Sequence, residues 1–174
     1  GGGQVGGFDI VTQQHHIKEN IGYMSQKFSL YDDLTVEENI DFYSGIYRIP
    51  KNQIAKRKEE LIALAGLADF RHRLTRTISG GWKQRLALGC ALIHRPKIIF
   101  LDEPTSGVDP ITRHNFWSII KGLAATGVTV FITTHYMDEA ENCDRMVLIY
   151  RGTIIALGSP LEMKTKFMKH EVLE

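Results

Sequence analysis

The sequence predicts an open α/β fold in which a parallel sheet carries helices. Three observations point to it. Ile98–Leu101 is an unbroken apolar run that stops at two adjacent carboxylates, Asp102 and Glu103. A central strand covered on both faces reads this way, and its carboxyl end is the ligand-facing edge of such a sheet. Val128–Ile132 is a second β-rich run, separated from the first by a helical pattern, which gives a strand–helix–strand unit. Ser79-Gly80-Gly81 opens an apolar helix. Glycines there leave backbone N–H groups and the positive end of the helix dipole open to an anion.

The elements follow in chain order. Phe8-Asp9-Ile10 reads as a first strand, and Gln13–Asn20 is polar. Ile21–Met24 is a short strand that delivers Ser25-Gln26 to a loop. Thr35-Val36-Glu37-Glu38 is a capping box, opening a helix with Val36, Ile40, Tyr43 and Tyr47 on one stripe. Pro50 separates it from a second helix, Lys51 to Ala65, which buries Ile54, Leu61, Ile62 and Ala65 and ends at Gly66. Asp109-Pro110 is an N-cap with proline at the first helical position, and Gly127 closes that helix before Val128–Ile132. A short helix over Met137–Asn142 follows. Met146–Ile149 and Thr153–Leu157 then flank Tyr150-Arg151-Gly152, a hairpin signal. Ser159-Pro160-Leu161-Glu162 is a second capping box opening the last helix.

Bulk properties narrow the function. The 174 residues are one domain's worth, and their net charge of +1 gives no footprint for nucleic acid. No apolar run approaches the roughly 20 residues of a membrane helix, and there is no signal-peptide pattern. Cys90 and Cys143 stand singly in helical patterns and read as reduced thiols. Lys56-Arg57-Lys58 reads as a solvated helix face.

Chemistry concentrates in a few places. A carboxylate beside bound phosphates can hold magnesium, and its neighbour can take a proton from water; Asp102 and Glu103 suit these two jobs. Together with the Ser79–Gly81 grip they read as nucleotide hydrolysis. His135 follows Thr133-Thr134 just past a strand end, as the carboxylates follow theirs. The other histidines, His15, His16, His72, His94, His114 and His170, have no partner pattern.

This order of motifs resembles the nucleotide-binding domain of ABC transporters over nearly the whole chain. Gln26 matches the Q-loop glutamine, Ser79–Trp82 the signature loop, Asp102 the magnesium-site (Walker B) aspartate and Glu103 the catalytic glutamate. Ser106–Asp109 match the D-loop and His135 the switch histidine. The wording of Tyr31–Asn39 and Thr134–Glu141 looks most like the drug-export and multidrug-resistance branch. The resemblance implies a P-loop NTPase (ABC ATPase) fold with residues 1–31 as core strands and Q-loop. Residues 32–94 would be the helical signature subdomain and residues 95–174 the remaining core.

It also implies ATP and Mg2+ as cofactors. Asp102 and Gln26 would serve the metal, with Glu103, His135 and Gln26 catalytic. Ser79, Gly80 and Gly81 would grip the ATP of a second ABC ATPase subunit in a head-to-tail dimer, which Asp109 contacts. A transmembrane permease would tether the subunit to the cytoplasmic face of the membrane. The signature loop most often has glutamine where Trp82 stands, a departure that changes the packing of that helix start. No Gly-x-x-x-x-Gly-Lys-Ser/Thr loop occurs, so the expectation is a C-terminal part of such an ATPase, lacking its P-loop strand and helix and inactive alone. Apolar surface along Ile98–Leu101 and Val128–Ile132 would then lie uncovered. Alternatives are a non-transport ABC ATPase acting on DNA or ribosomes, and a non-catalytic partner donating only the signature loop.

Overall fold

Glycine turns and capped helices set the boundaries of the elements in the computed structural model, which describes residues 1–167. The chain forms two units, Gly1–Thr133 and a second that starts at Thr134. In the first, β1 (Gln4–Val5) and β2 (Phe8–Asp9) pair antiparallel across Gly6-Gly7. Both glycines have positive φ, 60° and 86°, which a tight hairpin turn requires. The polar stretch that follows folds as a helix, α1 (Gln14–Asn20), which buries none of its residues. Without an apolar stripe it carries no periodicity to read in the sequence.

Next come β3 (Ile21–Met24), α2 (Val36–Ile46), α3 (Lys51–Ala65) and α4 (Gly80–Leu92). The Thr35–Glu38 capping box forms as the sequence predicts, with both reciprocal bonds present. Gly66 ends α3 at φ 67°. The three helices enclose one apolar cluster built on Val36, Ile40, Leu61, Leu67, Leu86 and Cys90. Burial pushes the Cys90 thiol well above the ordinary thiol range, which leaves it an inert core residue. Lys56-Arg57-Lys58 departs from the expected solvated face. Lys58 is half-buried and pairs with Glu37 and Asp41 on α2 at 2.9 and 2.6 Å, and Arg57 donates to the Ile93 carbonyl at 3.2 Å. Their cationic heads join α3 to its neighbours, and Lys56 alone of the three stays exposed.

After α4 the chain runs through β4 (Ile98–Asp102), α5 (Pro110–Ala125) and β5 (Thr129–Thr133). The sheet is parallel in the order β3-β4-β5, with Tyr23, Phe100 and Phe131 in one row and Asp102 beside Thr133. Its faces differ. Met24, Ile99 and Leu101 are buried. Gly22, on the same face, lies so close to α4 that a Cβ would sit 2.5 Å from the Ala91 carbonyl oxygen. The other face leaves Tyr23 and Phe131 each 55% exposed. The apolar run Ile98–Leu101 is therefore covered on one side and not both, because α4 packs on the Gly22–Ile99 face.

The second unit contains α6 (Met137–Ala140), the antiparallel hairpin β6 (Met146–Tyr150) and β7 (Thr153–Gly158), and α7 (Pro160–Phe167). Arg151 and Gly152 make the hairpin turn with φ of 48° and 76°. The second capping box is formed: Ser159 N–H donates to Glu162 Oε2 at 2.7 Å, and Glu162 N–H donates to Ser159 Oγ at 3.2 Å. His170 lies outside the described residues.

Candidate functional site

Parallel strands place their carboxyl ends side by side, and here that places Asp102, Glu103 and Thr133 together. The Thr133 hydroxyl donates to Asp102 Oδ1 at 2.5 Å. The Glu103 N–H points back to Thr133, at 3.1 Å from both its carbonyl and its hydroxyl oxygen. Glu103 sits at φ 43°, a left-handed conformation that costs a non-glycine residue about 1–2 kcal/mol. That turn ends the strand and takes the Glu103 side chain off the line of β4. Gln26, two residues beyond β3, donates its Nε2 to Glu103 Oε2 at 2.8 Å. The structure thus joins Gln26, Asp102 and Glu103 at one edge of the sheet.

The donors are hard oxygens, since Gln26 turns its NH2 to Glu103 and keeps Oε1 for another partner. Among the described residues no group of three or more His, Cys, Asp or Glu converges on a metal position. Asp102 with a neutral amide suits a cation such as Mg2+, which takes one or two protein oxygens and fills its shell with phosphate and water. The Glu103 carboxylate is placed to accept a proton or hold a water by hydrogen bond.

Ser79 caps α4 with extended backbone but makes no side-chain cap bond, so its hydroxyl is not spent on the helix. The two glycines beside it have different reasons. A Cβ at Gly80 would meet nothing within 4 Å, whereas one at Gly81 would lie 2.5 Å from Thr112 Cγ2. Gly81 is therefore required by packing against α5, while Gly80 leaves the loop open to a ligand. Asp109 caps α5, accepting from Ile111 N–H at 3.1 Å and Thr112 N–H at 3.0 Å. The Thr112 side chain first, and then these backbone bonds, hold its carboxyl below the usual carboxylate range. Trp82 packs against Phe70 with ring centroids 4.5 Å apart, and the Arg85 guanidinium lies 4.8 Å from its ring.

Three residues that sequence reasoning did not single out take part. Gln84 is fully buried, and its amide donates to the Pro104 carbonyl, tying α4 to the peptide just after Glu103. Thr112 fills the space Gly81 leaves, and Thr133 holds Asp102. A glutamine in register with Leu88 and Ala91 on a buried helix face is a readable signal for Gln84; threonines at a strand end and in a first helical turn are too common to be one.

His135 belongs to the second unit, two residues past β5 and exposed, with its ring 4.2 Å from that of Tyr136. The Thr134 hydroxyl before it donates to Glu139 Oε2 at 2.6 Å and accepts from Tyr136 N–H at 3.1 Å, which shapes the turn carrying the imidazole. Among the other histidines, His94 is half-buried and stacks on Tyr47 at 3.7 Å, with Nε2 3.0 Å from the Ile21 carbonyl. It is a packing residue.

The sequence pattern of the family described as "ABC transporter" matches residues 2–106. The "Probable multidrug ABC transporter ATP-binding protein YbhF" of Escherichia coli (strain K12) is 47% identical over 168 residues, which are 95% of this chain and 28% of that protein. The "Linearmycin resistance ATP-binding protein LnrL" of Bacillus subtilis is 38% identical over 160 residues, 91% of this chain and 51% of that protein. This chain thus spans between about a quarter and about half of the length of these relatives. Among solved structures, cbiO1 from Clostridium perfringens, described as part of the ABC transporter complex cbiONQ, superposes with a TM-score of 0.84 at 25% identity. The match covers 94% of this chain and 67% of that one.

Proposed function

Since this chain belongs to the ABC transporter family, we propose that it acts in the ATP-binding subunit of an export system, where ATP hydrolysis drives transport across a membrane. The observation that carries this reading is the Gln26–Glu103 hydrogen bond beside Asp102 at the carboxyl ends of parallel strands. Bound Mg2+ would neutralise phosphate charge, held by Asp102 and the Gln26 carbonyl oxygen. Glu103 takes the proton of the attacking water, and its bond from Gln26 engages only one of its two oxygens. Ser79, Gly80 and Gly81 grip the phosphates of ATP held mainly by a second ATPase subunit in a head-to-tail dimer. Asp109 contacts that partner while keeping its capping role, and His135 hydrogen-bonds the γ-phosphate.

The division of labour follows the chain: residues 1–31 and 95–174 form the nucleotide core, and residues 32–94 the helical signature subdomain. Among the described residues no helix is long and apolar enough to cross a membrane; in this reading a permease carries out the membrane step, with the subunit bound at its cytoplasmic face. Tyr31 is the candidate contact with the permease. It is 49% exposed, stacks edge-on against Phe42 at 4.5 Å, and is pinned through its backbone to the buried Asn39. The words multidrug and resistance in the names of the two relatives support outward transport.

The test is Glu103→Gln in the full-length protein. ATP binding should persist while phosphate release falls by about 10²–10⁴-fold, the usual worth of a general base. Release within a few-fold of wild type would remove Glu103 from that role. His135→Ala should cut turnover far more than nucleotide affinity. Residues 1–174 alone carry no lysine-bearing phosphate loop and are expected to release no phosphate from Mg-ATP.

A further inference from the structure

The amino end of the sheet, opposite the carboxylates, carries a cavity of about 390 Å³ between α3, the end of α4 and the turn from α5 into β5. Small-molecule sites fall in the range of about 300–1,000 Å³, with apolar walls and a few placed polar groups. Leu61, Leu64, Leu92, Leu123 and Val128 line its walls, and Leu64 remains 45% exposed at the lip. Arg57, Arg95 and Lys97 stand at its rim with a single carboxylate, Glu60.

The rim charges do not cancel. Arg95 takes Glu60 at 2.5 Å. Arg57 spends two N–H groups on neutral oxygens, those of Ile93 at 3.2 Å and Gln53 at 2.7 Å, and keeps donors to spare. Lys97 is exposed and forms no ion pair among the described residues. Two positive charges therefore remain unmatched beside an apolar hollow. The carbonyl ends of α4 and α5 reach the same place but are occupied. The Ile93 carbonyl is taken by Arg57, and those of Leu123 and Ala124 accept from Thr126 and Gly127 N–H.

We propose that this cavity binds a small amphipathic monoanion, an aliphatic carboxylate of medium chain length. The chain would lie against Leu61, Leu64 and Leu123, and the carboxylate would rest between Arg57 and Lys97. Charge complementarity selects an acid over an alcohol of the same length. The apolar walls select a chain over acetate. The site is separate from the carboxylate edge of the sheet and does not depend on nucleotide.

The experiment is calorimetric titration of the full-length protein with octanoate, 1-octanol and acetate. Octanoate should bind saturably, at least about tenfold more tightly than either comparison, as a charge-assisted hydrogen bond allows. Lys97→Glu and Leu64→Asp, which put negative charge at the rim and lip, should each weaken octanoate by about tenfold with melting unchanged. Lys97→Gln serves if either fails to fold. Lys51→Glu, at the exposed start of α3 away from the cavity, should bind as wild type. No saturable binding, equal binding of octanol, retention in both cavity variants, or equal loss in Lys51→Glu would each overturn the proposal.

Discussion

The Gln26 side chain donates to the Glu103 carboxylate at 2.8 Å although 77 residues separate the two in sequence. The contact exists because β3 and β4 are parallel neighbours whose carboxyl ends fall together. It fixes the amide so that its oxygen is the end left for a cation, and it occupies one oxygen of Glu103.

Replacing Gln26 by Ala removes that oxygen and should raise the magnesium concentration for half-maximal ATP turnover by about tenfold or more, the scale on which losses around metal sites are felt. Gln26→Glu restores an oxygen ligand and should recover part of the loss. Titrating ATPase activity of the full-length protein with magnesium reads this directly. Superimposable curves for wild type and Gln26→Ala would take Gln26 away from the metal.

Gln84→Leu should lower stability by about 1–3 kcal/mol, since the Pro104 carbonyl loses its buried donor. The Gln84 Oε1 has no partner among the described residues, so losing it offsets part of that cost. Each kcal/mol is about 2–4 °C of melting temperature for a domain of this size, measurable by circular dichroism. Turnover should fall as well, because the bond holds the peptide after Glu103. Unchanged melting and unchanged turnover together would show the bond to be dispensable.

Trp82→Gln installs the residue more usual in the signature loop. The indole packs on Phe70 and under Arg85, and such aromatic and cation–π contacts contribute about 0.5–1.5 kcal/mol each. A loss of about 1–3 kcal/mol in denaturant unfolding is expected. In this chain the indole holds α4 onto the 3-10 turn at Phe70, where the bulk of the side chain raised the prospect of altered packing. A gain in stability would contradict that account.

Glu37 predicts an acid limb in the stability curve. Arg71 first, then Lys58, hold its carboxyl down to about 2 from an ordinary 4.5. A group depressed on folding stabilises above its unfolded value and loses that contribution as pH falls. Stability from Glu37 is therefore complete above about 4.5 and gone below about 2. Glu37→Gln should cost about 1–2 kcal/mol at neutral pH once solvent screening of the partners is counted. It should also flatten the acid limb in urea melts taken across this range. An unchanged acid limb would assign it to other carboxylates.

Local chemistry fixed much of this protein in one dimension. The capping boxes at Thr35 and Ser159, the Gly66 C-cap, the Asp109-Pro110 start and the Arg151-Gly152 turn are all readable. The capping boxes and the Asp109 cap depend on side-chain-to-backbone bonds within three residues, and the Gly66 cap and the Arg151-Gly152 turn on positive φ. The apolar runs gave the strands of the parallel sheet, and the order of the motifs carried the resemblance to the family. Tertiary structure decided the rest. The exposure of Tyr23 and Phe131 depends on which face of the sheet a helix covers, and an unbroken apolar run reads the same in either case. The need for glycine at position 81 comes from Thr112, 31 residues away on another helix, and the buried tie from Gln84 to Pro104 comes from helix packing. No local pattern encodes contacts of that range, because they arise only when separate elements come to share one volume.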